Sequence, residues 1–242
     1  MTPLPPARLT VWIRSWAYLV LFLIWTVFCA FILLPTLVRK SWTQAGIRMW
    51  VRGIMALARN VAHITCRVEG LEHVPPGPCI IAAQHQASFE TYRLWLDLAQ
   101  PVFVLKRELV WIPMIGWYMG RGGLVPINRG AGPRAMRQTL RAAKRTLDEG
   151  NQVVLFPEGT RAPPGTVAAF KPGIAALYLH LDAPIIPMAL NSGVFWGKTR
   201  ILKRPGEIVF RFLPAIPQGL DRDAFLVELR ARISAAAAEL TP

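Results

Sequence analysis

The sequence predicts an α/β fold: a mixed sheet flanked by helices, with an N-terminal membrane-embedded helical segment. Three observations carry this reading. Short apolar runs at 79–83, 102–105, 124–127, 153–156, 185–190 and 208–212 alternate with helical stretches, the rhythm of strands and crossover helices. From Ser15 to Val38 no side chain carries a charge. The 21 prolines gather in short connections such as 74–78 and 162–165, so there is neither a long linker nor an internal repeat.

In chain order, residues 1–64 are expected to form the membrane-associated part and 65–242 the α/β domain, whose roughly 180 residues suffice for one core. About 20 apolar residues cross a bilayer, and the run over 15–38 exceeds that length, with Trp12, Trp16 and Trp42 near its ends. It is too long for a signal-peptide core, and no small-x-small cleavage site follows. Arg8 and Arg14 precede it, whereas Arg39, Lys40, Arg48 and Arg52 follow, so the later domain is expected in the cytoplasm, at the cytoplasmic (inner) membrane. Pro35 bends the segment near its end, and a re-entrant helix is the alternative to a spanning one.

Over 42–65, Arg48, Arg52 and Arg59 fall within about 40° of one another on a helix, with Trp50, Ile54, Leu57 and Val61 on the far side. Such a helix suits the headgroup plane, or else a core-facing position with a solvated basic stripe. The run 78–83 follows Pro and Gly and reads as a buried strand. Ser88 is placed to cap a helix starting near Phe89 and running through Tyr92, Leu94, Trp95 and Leu98. A helix between Pro133 and Gly150 carries Arg134, Arg137, Arg141, Lys144 and Arg145, and 221–240 reads as a terminal amphipathic helix.

The formal charge of +14 comes from 28 Lys and Arg against 14 Asp and Glu. Such a field attracts anionic lipid, phosphorylated substrates or nucleic acid, and the apolar run with no nucleic-acid motif favours lipid. Cys29, Cys66 and Cys79 are few, odd in number and far apart, so they read as apolar fillers in a reducing compartment. No Cys or His pair has metal-ligand spacing, and no G-x-S-x-G elbow is present, so neither a metal nor a serine esterase is expected.

The chemistry concentrates on His85 and Glu90. A histidine near a hydroxyl can take its proton, and a carboxylate on the other ring nitrogen fixes the tautomer and stabilises the imidazolium. Residues five apart on one helix point about 140° away from each other, so the two do not share a helix. His85 is expected in the turn at the mouth of the sheet and Glu90 in the first helical turn, reaching back. His63, His73 and His180 have no acidic partner at such a spacing.

With Phe156-Pro157-Glu158-Gly159-Thr160-Arg161, this pattern resembles the 1-acylglycerol-3-phosphate acyltransferase family, also called lysophosphatidic acid acyltransferases, in its bacterial form. Four blocks match in order: 85–90, 123–129, 156–161 and 186–193, within a similarity covering about 65–215. The resemblance implies His85 as general base on a lysophospholipid hydroxyl, Glu90 as its orienting partner and Arg129 on the substrate phosphate. Glu158, Gly159, Thr160 and Arg161 would shape the acceptor site, with Arg161 on phosphate and Glu158 ordering that arginine or the glycerol. Pro187 would help form the acyl-donor side, while Lys106 and Lys171 either meet phosphates of coenzyme A or of the acceptor or sit on solvated loops. Position 90 is Glu where many members have Asp, and 128 is Asn where Asp is frequent.

The expected enzyme is a membrane 1-acylglycerol-3-phosphate O-acyltransferase. It would take the acyl chain from acyl-coenzyme A or acyl carrier protein to lysophosphatidic acid, giving phosphatidic acid without a cofactor. Another lysolipid acceptor, such as a lyso-aminolipid, or a non-catalytic lipid-binding protein of the same fold are the alternatives. A carrier, however, has no need of a base.

Overall fold

The computed structural model describes residues 7–106, 108, 111, 114–127, 132–197 and 201–240. Helix α1 (Leu9–Ile32) leads through a 3₁₀ turn (Leu34–Val38) into α2 (Lys40–Asn60), and the rest alternates strands with helices. The order is β1 (Ile64–Glu69), β2 (Cys79–Ala83), α3 (Phe89–Asp97), β3 (Pro101–Lys106), α4 (Ile115–Gly122), β4 (Val125–Ile127), α5 (Gly132–Asp148) and β5 (Gln152–Leu155). It continues with α6 (Pro172–His180), β6 (Ile185–Leu190), α7 (Ser192–Phe195), β7 (Gly206–Phe212) and α8 (Arg222–Leu240).

These strands form one seven-stranded sheet in the order β1-β7-β6-β2-β5-β3-β4. Only the β6–β7 pair is antiparallel, so the sheet is mixed, as the alternation of runs and helices predicts. β2 lies at its centre, paired with β5 and β6 and buried at every position, hence its unbroken apolar sequence. Its residues alternate between two cores: Ile81 and Ala83 face α1, α2 and α3, while Ile80 and Ala82 face α5, α6 and α8. α8 docks through Phe225, Leu229, Ile233, Ala236 and Leu240, one stripe at helical spacing.

All six apolar runs are strands, and a seventh strand, β1, lies where the helical pattern was expected to continue to Thr65. α2 ends at Asn60, and His63 takes a positive φ of 55° before the chain extends. β1 is a sheet edge with one neighbour, so its Arg67 and Glu69 are polar and no continuous apolar run marks it.

The segment 15–38 is likewise not one helix. α1 begins at Leu9, stops at Ile32, and Pro35 sits in the 3₁₀ turn from which α2 folds back along α1. α2 packs its apolar face on the domain. Val51 and Ile54 are fully buried against the domain, and Arg48 donates to the carbonyls of Trp95 and Ala99. Arg52 and Arg59 remain exposed. A hydrophobic stripe does not say what will cover it, and here the domain does.

α1 differs in that only Ser15, Tyr18 and Cys29 are buried, while Ile13, Val20, Ile24, Val27, Phe28 and Phe31 are more than half exposed. It is long and apolar enough to cross a membrane. Both its ends touch the domain: Ser15 Oγ accepts the Lys203 N–H at 2.9 Å, and the Tyr118 hydroxyl donates to the Ala30 carbonyl at 3.0 Å. Two indoles lock α1 to α2, with Trp25 Nε1 donating to the Trp50 carbonyl at 2.9 Å and Trp50 Nε1 to Thr26 Oγ1 at 3.2 Å.

Candidate active site

At the carboxyl end of β2 the chain leaves the sheet through Gln84 and His85, the position where open α/β sheets present ligand sites. His85 Nδ1 lies 2.9 Å from Glu90 Oε1. Glu90 is in the first turn of α3, and the same oxygen accepts the N–H groups of Gln86 and Ala87, each at 2.7 Å. A carboxylate there satisfies backbone donors at the helix start, where negative charge is favoured. Ser88 occupies the cap position but does not cap: its hydroxyl accepts the indole N–H of Trp196 at 3.1 Å. Glu90 instead reaches back to the two N–H groups that precede the cap, and so ties the His85 turn to the start of α3.

With Nδ1–H held by a carboxylate, the Nε2 lone pair is the one free to accept a proton. The imidazole stacks on Phe156, centroids 4.2 Å apart, so one ring face is packed and the edge is directed. Its backbone is held by the turn after β5. The His85 N–H donates to Glu158 Oε1 at 3.2 Å, and its carbonyl accepts the Ala162 N–H at 2.8 Å. Gly159 makes that turn possible at φ 69°, with its N–H on the Phe156 carbonyl.

His85 opens into a cavity of about 420 Å³. Its walls are mostly apolar, from Cys29 and Ala30 of α1, Leu33 just after it, Ile47 and Trp50 of α2, and Tyr118 and Met119 of α4. Arg161 borders the cavity together with His85, and its side chain is solvent-exposed. An imidazole, a guanidinium and an apolar cavity thus adjoin one another.

Residues 65–191 match the family described as Acyltransferase. This chain belongs to the acyltransferase family. It is 33% identical to the 1-acyl-sn-glycerol-3-phosphate acyltransferase of Pseudomonas aeruginosa over 88% of this chain and 84% of that one. A Limnanthes douglasii enzyme of the same name is 30% identical over 71% of this chain and 58% of its own length. The fold matches the crystal structure of the 1-acyl-sn-glycerophosphate acyltransferase PlsC from Thermotoga maritima, with TM-score 0.73 and 22% identity over 94% and 98% of the two chains.

The acyltransferase gathers some of the sequence-marked residues and separates others. His85, Glu90, Glu158 and Gly159 form one connected turn system, with Thr160 exposed at its end and Arg161 at the cavity. Glu158, however, is turned inward and 1% exposed, with Oε2 accepting the Ala168 N–H at 2.9 Å. Both its oxygens serve backbone N–H groups, so it braces the His85 loop where ordering of Arg161 or the glycerol was expected. Burial raises its pKa against the pull of those two N–H bonds.

Lys171 is exposed at the start of α6, its N–H on the Pro157 carbonyl at 2.8 Å, behind the turn and outside the cavity wall. Pro187 is buried within β6, opposite Ala82, and is not among the residues lining that cavity. Lys106 ends β3 opposite Ile127, and Arg129 lies outside the described residues. Two partners were not foreseen. Ser192 Oγ donates to Glu90 Oε2 at 2.8 Å, and the Gln86 side chain bridges the Leu190 carbonyl and the Gly193 N–H, both at 2.9 Å. Gln86 lies in the first block and Ser192 and Gly193 in the fourth, but no spacing pointed to these contacts.

Proposed function

We propose that the enzyme transfers an acyl chain from an acyl thioester, of coenzyme A or acyl carrier protein, to the sn-2 hydroxyl of 1-acyl-glycerol-3-phosphate, giving phosphatidic acid. The observation that carries this reading is the His85–Glu90 pair at the mouth of an apolar cavity bordered by Arg161. His85 Nε2 takes the hydroxyl proton as the oxygen attacks the thioester carbonyl. The tetrahedral intermediate expels the thiolate, which takes that proton from the imidazolium, so ester and thiol form with no net proton change. Glu90 stabilises the imidazolium between the two steps. The acyl group is already activated, so positioning and charge stabilisation suffice.

Arg161 suits the acceptor phosphate, which its planar fork binds in two-point fashion. The cavity suits the acyl chain. α1 forms part of its wall and presents its other face outward, which fits a helix embedded in lipid beside the cavity. Contact of α1 with the domain at Ser15 and Ala30 supports a monotopic seat, and the excess of Arg and Lys after the apolar run supports the cytoplasmic face for the domain.

The test is thiol release from oleoyl-coenzyme A by detergent-purified enzyme, with and without 1-acyl-glycerol-3-phosphate, beside His85→Ala. Release should depend on the acceptor, and the substitution should reduce it by ~10²–10⁴-fold while the protein stays folded. Faster release with another lysolipid would move the acceptor assignment. A near-normal rate in His85→Ala would remove His85 from the mechanism.

A further inference from the structure

The Glu90 side chain has no solvent exposure, so the protein supplies its hydrogen bonds. Oε1 is shared by His85 Nδ1 and two backbone N–H groups. Among the described residues Oε2 has one donor, the Ser192 hydroxyl at 2.8 Å. Ser192 is fully buried at the start of α7, and the turn that delivers it is clamped on both sides. Gln86 grips Leu190 and Gly193, while Asn191 accepts the Val209 N–H at 2.8 Å and donates to the Leu240 carbonyl at 3.1 Å. A hydroxyl held this way has a fixed direction, and bulk water does not reach the oxygen it serves.

We propose that Ser192 is a positioning residue for acyl transfer: its hydroxyl fixes the plane of the Glu90 carboxylate and draws charge from the oxygen facing His85. This rests on reading His85 as the general base. An aspartate or glutamate with one unserved oxygen concentrates its charge and makes the imidazole it faces more basic. A base that is too basic is protonated before it meets substrate and accepts nothing. By serving Oε2, Ser192 tempers the charge that Glu90 turns toward His85. The charged and titratable groups around His85, among the described residues, are Glu90, Glu158 and Arg161, with Tyr92, Tyr118 and Cys29 across the cavity. Ser192→Ala leaves all of them in place.

The experiment follows the His85 imidazole by NMR titration of the full chain in detergent, assigned against His85→Ala, together with the pH profile of acceptor-dependent thiol release. In Ser192→Ala the His85 titration should move upward by about half a pH unit, less than the full worth of one hydrogen bond because the hydroxyl acts on His85 only through Glu90. The acid limb of kcat/KM should move with it, and KM for 1-acyl-glycerol-3-phosphate should not change. Ser192→Thr, which keeps the hydroxyl, should return the titration toward wild type. Should the alanine variant fail to fold, Ser192→Cys keeps the volume with a weaker donor and should shift less but in the same direction. An imidazole titration in folded Ala or Cys variants identical to wild type overturns the proposal. A shifted titration in a protein whose wild type shows no acceptor-dependent release would keep the Ser192 control of His85 and discard the reaction.

Discussion

The turn that carries His85 and the α1–α2 hairpin sit on either side of one cavity and are held by opposite means. Around His85 the binding is polar and buried: Glu90 takes four donors, and Glu158 takes two backbone N–H groups. The hairpin rests on packing, with Trp25, Trp50 and Tyr18 locking rings against the domain and a few hydrogen bonds between them. The difference separates two demands. Proton transfer needs fixed directions, which hydrogen bonds from rigid backbone provide. A chain-length pocket needs only shape, which side-chain packing provides.

The largest effect should come from breaking the polar side at its brace. Glu158→Ala leaves the His85 and Ala168 N–H groups without their acceptor, at up to about 1–3 kcal/mol each. Urea denaturation should show that loss, and kcat should fall because the His85 backbone is no longer held. A variant that is destabilised yet keeps full kcat would show that the brace serves folding alone.

Legibility followed the same division. His85 and Glu90 are five residues apart, and the strand before them was marked by its unbroken apolar run, so their pairing could be argued locally. Ser192 meets Glu90 across 102 residues, through a β6–β2 pairing that no local pattern announces. Glu158 was recognised as important, but its inward turn was not, because sequence does not tell a carboxylate facing solvent from one facing backbone. β1 escaped because an edge strand needs no apolar run. α2 showed its stripe clearly, and only tertiary contact could decide between lipid and core.

A substitution in the hairpin should act on shape and spare the chemistry. A Cβ on Gly53 would strike the Trp25 indole, whose N–H is fixed on the Trp50 carbonyl. Gly53→Ala therefore displaces a ring that holds α1 to α2, an overpacking that typically costs about 1–3 kcal/mol. Thr26 and Trp50, both in the cavity wall, must move with it. The ratio of kcat/KM between long-chain and short-chain acyl donors should change several-fold, while the acid limb of the pH profile stays in place. If the ratio holds and the acid limb moves, the division between shape and chemistry is wrong.

The smallest effect belongs to the joint between the two regions. Lys203 gives its backbone N–H to Ser15 of α1, and its ammonium lies 4.5 Å from the centroid of the Trp196 ring, whose indole N–H reaches Ser88 beside the His85 turn. The side chain is 3% exposed, and burial lowers its pKa from 10.5 to about 8. Between these two values the unfolded chain binds more protons than the folded one, so the folded state gains stability as pH rises from about 8 toward 10.5. Below that window both states are protonated and the contribution no longer changes. Lys203→Met fills the same space without a charge, so its denaturation midpoint should lack the gain that wild type shows across the window. Its acid limb should match wild type, because Ser88 keeps its indole donor and Glu90 its four. An equal alkaline gain in both proteins would assign the slope to other groups. A shifted acid limb would mean that the seating of α1 is felt at His85 through Trp196, joining the two regions that packing and hydrogen bonding otherwise keep apart.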